Sequence, residues 1–241
     1  MIKNIDSKEE SIARITSKLL LDMNAIHFSP NKPFTLTSGI QSPVYIDCRK
    51  IISYPKARKV LMDFCADIIA KKIGIHKIDT LVGGETAGIP FAAFLAERLE
   101  LPMNYVRKKP KGFGRDAQIE GESVFGKRAI LIEDLSTDGG SKISFCNALR
   151  GAGAEVADTI VIFYYNIFMS VPKKLAASKI ELHYLASWWD ILNFCKEEGS
   201  KWNSNTLDQI ETFLRAPQQW SEQKNYNVNH LKKNPKNVDF K

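Results

Sequence analysis

Two adjacent carboxylates, Glu133 and Asp134, end the apolar run Ile130-Leu-Ile and lead through Leu135-Ser-Thr-Asp-Gly-Gly-Ser141 into an amphipathic segment, Lys142 to Arg150. Carboxylates accept hydrogen bonds from sugar hydroxyls or ligate a hard cation such as Mg²⁺, and they repel phosphate. The loop after them does the reverse. Its small residues let the backbone curl around an anion, and the unpaired N–H groups of a helix start carry partial positive charge that attracts phosphate. Acids followed by such a loop describe a ligand bearing both a ribose and a phosphate. A bland strand–turn–helix explains the glycines. It does not explain two acids at the C-terminal end of a strand, where open α/β sheets bind their ligands. The run lacks the Gly-Lys-Ser/Thr of a P-loop and the spaced glycines of a dinucleotide fingerprint.

This stretch resembles the phosphoribosyl-pyrophosphate (PRPP) signature of the type I phosphoribosyltransferases. A second strand–loop–helix junction, Leu81-Val-Gly-Gly-Glu-Thr-Ala-Gly-Ile-Pro90, repeats the pattern of small residues at a turn. A third segment, Tyr105 to Gly121, packs five cations into residues 107–115 along with Pro110, Gly112 and Gly114. Flexibility combined with positive charge reads as a lid that folds over a polyanion and neutralises a leaving group. The fourth segment is Phe34-Thr-Leu-Thr-Ser-Gly-Ile-Gln-Ser-Pro-Val-Tyr-Ile-Asp-Cys-Arg49. In this order the four segments resemble the orotate phosphoribosyltransferases, in particular a Bacillus-like monofunctional branch, over about residues 15 to 215.

The elements that must position these residues follow from periodicity. Ser7 to Met23 and Pro55 to Ile73 show helical apolar spacing, the first through Ile12, Ile15, Leu19 and Leu20. From residue 78 strands alternate with helices. The strands begin near Ile78, Asn104, Arg128, Val156 and Lys179, and the helices cover Ala87 to Leu99, Ser141 to Arg150, Asp190 to Glu198 and Asn205 to Arg215. Near-continuous apolar strands in such alternation predict a parallel sheet covered on both faces. Trp188 and Trp189 are expected to pack on the sheet edge. The alternation predicts an α/β fold, and the resemblance implies a parallel-sheet type I phosphoribosyltransferase core with helices on both faces, a small N-terminal hood and a flexible catalytic loop. One domain is expected over 1–216, with a hood at about 1–54, a core at about 55–187 and C-terminal helices at 188–216. The Asn- and Lys-rich residues 217–241 read as a solvated basic tail.

Composition bounds the function. The 241 residues are 44% hydrophobic and 25% charged, ordinary for a globular enzyme. No apolar run approaches a membrane span, and the first residues lack a signal-peptide core, so a cytoplasmic protein without membrane partners is expected. The four cysteines and four histidines neither cluster nor show C-x-x-C spacing, which argues against a disulfide framework or zinc site. The net charge of +7 concentrates in the lid and tail; it points to a polyanionic small molecule and not to nucleic acid.

The resemblance implies roles residue by residue. Glu133 and Asp134 would hold the ribose hydroxyls, directly or through the shell of a Mg²⁺ carried by PRPP and water. Leu135, Ser136, Thr137, Asp138, Gly139, Gly140 and Ser141 would form the PRPP loop, and Gly83, Gly84, Glu85 and Thr86 would flank the pyrophosphate. Arg107, Lys108 and Lys111 match the catalytic cations of the family, whose loop serves the neighbouring subunit of a homodimer with shared active sites. Orotate would meet Thr37, Ser38, Gly39, Tyr45, Ile46, Thr137 and Tyr165. The chain departs from the enteric pattern at Phe113 (loop His), Thr37 and Ala87 (both Lys), and in having Tyr164-Tyr165-Asn166 where an Arg would clamp the orotate carboxylate. Asp138, beside a phosphate, is expected to face solvent or pair with Lys142. Two alternatives stay open: a phosphoribosyltransferase for another base, and a PRPP-sensing regulator.

Overall fold

The computed structural model describes residues 3–36, 38–111 and 118–224. In chain order the elements are α1 (Lys3–Asp22), β1 (Ile26–Phe28), β2 (Phe34–Thr35), β3 (Gln41–Ser42), β4 (Val44–Ile46), α2 (Pro55–Ile68), β5 (Thr80–Gly84), α3 (Gly88–Leu99), β6 (Met103–Val106) and β7 (Ile119–Glu120). The second half continues with β8 (Arg128–Ser136), α4 (Gly140–Gly151), β9 (Glu155–Tyr164), α5 (Ser170–Ala177), β10 (Glu181–Ser187), α6 (Trp188–Glu197) and α7 (Ser204–Arg215). The chain groups into two compact units, one built on residues up to Ala25 with Cys48–Ile191, the other on Ile26–Asp47 with the residues from Leu192 on.

The first unit holds a six-stranded sheet in the order β10-β9-β8-β5-β6-β7. Every neighbouring pair is parallel except β6 with β7. The central strands are buried along nearly their whole length because helices cover both faces, which explains their unbroken apolar runs. One face packs Val82, Leu131, Val161, Phe145, Leu149 and Leu175 into a core. Gly83 pairs in register with Ile132, so β5 and β8 end side by side and both following loops open on the same sheet edge. This register brings the two small-residue junctions together. Trp188 is fully buried, edge-on to Phe163 and Tyr165, the packing role expected of it.

Three expectations are corrected. The buried face of α1 runs through Thr16 and Ser17 beside the expected Leu20, while Ile15 is 39% exposed. Short hydroxyl side chains allow the close approach of α1 to β10 that a stripe of large apolar residues would prevent. Helix α5 was not expected, because only Val171 and Leu175 mark its buried face. Pro172 lies in its first turn, where a missing N–H costs nothing. The expected hood is also divided, since α1 groups with the sheet and β1–β4 group with the C-terminal helices.

In the second unit β1 pairs antiparallel with β4, and β2 with β3. Asn203 caps α7, its Oδ1 accepting from the Thr206 amide at 2.9 Å. The expected tail begins with ordered structure: residues 217–224 are helical. Trp220 is buried edge-on to Phe213 with ring centroids 5.5 Å apart, and the Gln41 amide donates to Ser221 Oγ at 2.9 Å. A single aromatic in about two helical turns was too sparse a signal among Gln and Lys to show this. Residues 225–241 lie outside the described ones.

The four cysteines are buried, and burial pushes the Cys65 thiol up to about 12. No helix among the described residues is long and apolar enough to cross a membrane. Arg150, in the last turn of α4, ties three segments together. Its guanidinium donates to the carbonyls of Val156 at 3.1 Å, Ser178 at 2.7 Å and Lys179 at 2.9 Å. Charged donors to otherwise unpaired carbonyls are each worth about 1.5–3 kcal/mol. Arg150→Met is therefore expected to lower unfolding free energy by roughly 2–4 kcal/mol, read as a shifted urea midpoint at unchanged slope.

Candidate active site

Successive residues of a strand point to opposite faces, so Glu133 and Asp134 cannot act as two arms of one clamp by strand geometry alone. The structure separates them chemically as well. The Glu133 side chain is only 8% exposed, and its Oε2 accepts from Lys142 Nζ at 2.6 Å. Lys142, 4% exposed, also donates to the Leu135 carbonyl and to Ser141 Oγ. Among the described residues Asp134 forms no ion pair of this kind. Burial, and then the neighbouring charge of Glu133, raise its carboxyl to about 6, against a smaller opposing effect of Lys142.

The PRPP-like loop follows directly. Ser136 ends β8 and is buried, and its carbonyl accepts from the Tyr165 amide at 2.9 Å. Thr137 is half-buried, Gly139 adopts φ 77°, and α4 starts at Gly140. Such a φ suits glycine, and the turn aims the first helical amides outward. Asp138 is exposed as expected but does not pair with Lys142. Its Oδ1 instead accepts from the Gly140 amide at 3.0 Å, one of the donors a phosphate would use. Lys142 is unavailable to Asp138 because it is committed inside the fold.

At the other junction the glycines answer to packing as well as to a ligand. A Cβ on Gly84 would stand 2.3 Å from Glu133 Oε1, and one on Gly88 would stand 2.4 Å from the Ile132 carbonyl oxygen. The turn continues through a cis Glu85–Thr86 peptide. Glu85 Oε2 accepts from the Lys108 amide at 2.7 Å, which ties this turn to the foot of the cationic loop. At that foot the Arg107 amide donates to the Gln118 carbonyl and Gln118 Nε2 donates to the Arg107 carbonyl, both at 2.8 Å. Glu120 receives Lys111 Nζ and lies 3.6 Å from Arg107 Nη1. Sequence reasoning passed over Glu85 and Glu120 as partners; the acid within Gln118-Ile-Glu-Gly121, just past a run of cations, was the available signal. Phe113, with the rest of 112–117, lies outside the described residues.

The described residues expected to meet orotate lie in the β2–β3 turn (Ser38 and Gly39), on β4 (Tyr45 and Ile46) and just past the acids of β8 and the end of β9 (Thr137 and Tyr165). Ser38 and Gly39 form an exposed turn of the second unit, with φ 83° at Gly39. Tyr45 packs between His27 and Phe34, and the Ile46 side chain is buried. Thr37 lies outside the described residues. Tyr165 is buried edge-on to Phe163 and Trp188, a packed aromatic with no open face for a base. Among the described residues, the grouping of His, Cys and carboxylate side chains close enough to hold a cation is Asp158, Glu181 and His183. It sits toward the N-terminal ends of β9 and β10, away from Glu133 and Asp134, and His183 Nε2 is already 2.7 Å from Asp158 Oδ1.

A parallel sheet with acids and an anion loop at the end of one strand, beside a glycine turn at the end of its neighbour, defines the phosphoribosyltransferase class, and the phosphoribosyl transferase domain model matches residues 54–183. The chain is 52% identical over 222 residues to an orotate phosphoribosyltransferase of Cereibacter sphaeroides, covering 92% of this chain and 95% of that one. The solved orotate phosphoribosyltransferase of Aeropyrum pernix is 28% identical with a TM-score of 0.63, over 73% of this chain and 96% of that one. The UMP synthase of Leishmania donovani is 26% identical with a TM-score of 0.71; the match covers 84% of this chain and less than half, 42%, of that longer one. The chain belongs to the orotate phosphoribosyltransferase family.

Two outcomes follow from this geometry. Because the folded pKa of Asp134 is above its unfolded value of about 3.9, the folded state binds the extra proton, and the stability cost of the ionised form grows as pH rises from about 4 to about 6. Asp134→Asn should therefore melt no lower than wild type above about pH 7 while losing at least about tenfold in kcat/KM for PRPP. The wild-type kcat/KM profile should fall below a pH of about 6, and the variant should lack that limb. Gly84→Ala places a methyl against the Glu133 carboxylate and should cost about 1–3 kcal/mol of stability in denaturant titration.

Proposed function

We propose that this enzyme transfers the phosphoribosyl group of PRPP to N1 of orotate, giving orotidine 5′-monophosphate and pyrophosphate in de novo pyrimidine synthesis. The observation that carries the reading is the junction of β8 with α4, where a buried acid, Asp134, and the open amides of an anion loop meet the glycine turn after β5. The 52% identity to a curated orotate enzyme selects the base.

On this reading the amides and hydroxyls of Thr137, Gly139, Gly140 and Ser141 bind the 5′-phosphate, displacing the carboxylate of Asp138 from Gly140. Asp134 accepts from the ribose hydroxyls. The backbone of Gly84, Glu85 and Thr86 flanks the pyrophosphate. The C1′–O bond breaks with its electron pair leaving on pyrophosphate, and N1 of orotate bonds to C1′ from the opposite face with inversion, its N–H proton passing to water or to the released pyrophosphate. No covalent nucleophile is required, so the protein contributes positioning and charge. Arg107, Lys108 and Lys111 meet the charge on the leaving group, and for two of them this means leaving Glu120. The family resemblance assigns the contacts to orotate to Thr37, Ser38, Gly39 and Tyr45.

The donors present fit Mg²⁺ as a passenger of the substrate and not as a resident ion. Asp134 offers a hard oxygen, Oε2 of Glu133 is held by Lys142, and Mg²⁺ is commonly bound through one or two carboxylates plus phosphates and water. When bound it supplies neutralising charge at the pyrophosphate. The enzyme works as a cytoplasmic homodimer in which each cationic loop serves the partner's site.

The first test is PRPP consumption measured with and without orotate; loss of orotate absorbance only when PRPP and Mg²⁺ are both present is expected, and full turnover in excess chelator would refute the assisted departure. Adenine or hypoxanthine replacing orotate as acceptor would reassign the base. Lid sharing is read by mixing Lys108→Ala with Asp134→Asn protein, each nearly inactive alone. Random reassembly should recover about a quarter of wild-type activity, because half of the dimers are mixed and each has one intact site of two. No recovery despite confirmed exchange would mean that the loop serves its own subunit.

A further inference from the structure

Lys142 is a cation in the first turn of α4, where the helix dipole disfavours positive charge, and it is buried, where an unpaired charge is costly. Neither helix propensity nor solubility accounts for it. An exposed lysine at this place would be read as a phosphate ligand. That use is excluded, because an ammonium has three donors and all three are spent inside the protein: on Glu133 Oε2 at 2.6 Å, on the Leu135 carbonyl, and on Ser141 Oγ at 3.1 Å. Two of these acceptors belong to the last residues of β8 and the third to the start of α4. Lys142 therefore crosses the neck of the phosphate loop from beneath.

We propose that Lys142 is the positioning residue of the PRPP loop: it holds Glu133 as an internal counter-ion and orients the Ser141 hydroxyl as a donor to the 5′-phosphate. The inference rests on the phosphoribosyltransferase reading above and deepens it. Ser141 is exposed while Lys142 behind it is buried. A hydroxyl whose lone pair is taken by an ammonium below must direct its O–H elsewhere, and outward lies the rim of the loop. The same arrangement sorts the acid pair. Glu133 has Oε2 on Lys142 and Oε1 against Gly84, so its carboxylate is a structural anchor. Asp134, with no ion pair among the described residues, is the acid left to meet ribose. Lys142 touches neither substrate nor reacting atoms on this account, and acts through Ser141 and the loop backbone.

The test uses the intact enzyme and four variants: Lys142→Met, Ser141→Ala, their combination, and Glu133→Gln with Lys142→Met. Binding of Mg²⁺·PRPP is measured by calorimetry, and KM and kcat for both substrates are measured by orotate absorbance. Lys142→Met should raise KM and Kd for PRPP at least about tenfold while the KM for orotate moves less than about twofold. A merely structural lysine would lower the active fraction, and so kcat, and leave both KM values alone. Ser141→Ala should cost several-fold in PRPP affinity in the wild-type background and less than about twofold when Lys142 is already Met, since the hydroxyl is then no longer oriented. If Lys142→Met fails to fold with a bare Glu133, the variant that also carries Glu133→Gln removes both buried charges and should fold, with the same weakened PRPP binding. Unchanged PRPP affinity in whichever of these folds, or independent losses from Ser141 and Lys142, would overturn the proposal. Wild-type protein that binds PRPP but does not consume orotate would sink the functional reading instead, and the binding arms would still decide the role of Lys142.

Discussion

A buried charge must find a partner within reach or change its protonation, and the β8–α4 junction is organised around that constraint. Lys142 and Glu133 satisfy each other out of water. Around them the loop backbone, the start of α4 and the glycine turn after β5 take up positions that no other pairing would dictate. Gly84 must lack a side chain because Glu133 occupies the space, and Glu133 occupies the space because Lys142 holds it there. The loop between β8 and α4 is anchored by this pair through Leu135 and Ser141. On the proposed reading that anchoring sets the loop in place for a phosphate, which is how positioning enzymes reduce the entropic part of a barrier.

The sheet supplies the second constraint. Parallel strands send their connecting loops out at one edge, and the register Gly83 with Ile132 sets the two ligand junctions side by side. Alternation along β8 then divides two adjacent acids between opposite faces. One becomes part of the protein's internal electrostatics. The other is left buried with a raised pKa, a local instability of the kind that functional sites retain. The cationic loop is tied to the same machinery at its foot, through Glu85 on the Lys108 amide and Glu120 on Lys111 and Arg107.

Much of this was legible in the chain. The runs Ile130 to Glu133 and Val156 to Tyr165 announced buried parallel strands, because only residues covered on both faces can be apolar without alternation. The acid pair and glycine loop were legible because ribose and phosphate demand opposite kinds of partner within a few residues. Elements held by sparse or polar contacts were not. Helix α5 presents two apolar residues, the helical stretch at 217–224 is anchored by Trp220 and one bond to Ser221, and α1 turns Thr16 and Ser17 inward where its spacing of Ile and Leu suggested another face. In each case the signal lies in a neighbour remote in sequence.

By itself the sequence determined the alternation of strands and helices and the family, because these depend on local periodicity and on side-chain chemistry within short segments. The tertiary structure decided which acid is paired inside the fold. It paired Lys142 with Glu133 and not with Asp138, gave Asp138 to the Gly140 amide, buried Tyr165 among aromatics, and set Arg107 and Lys111 against Glu120. Pairings of this kind are settled by burial and distance, quantities that arise only when segments far apart in the chain are packed together.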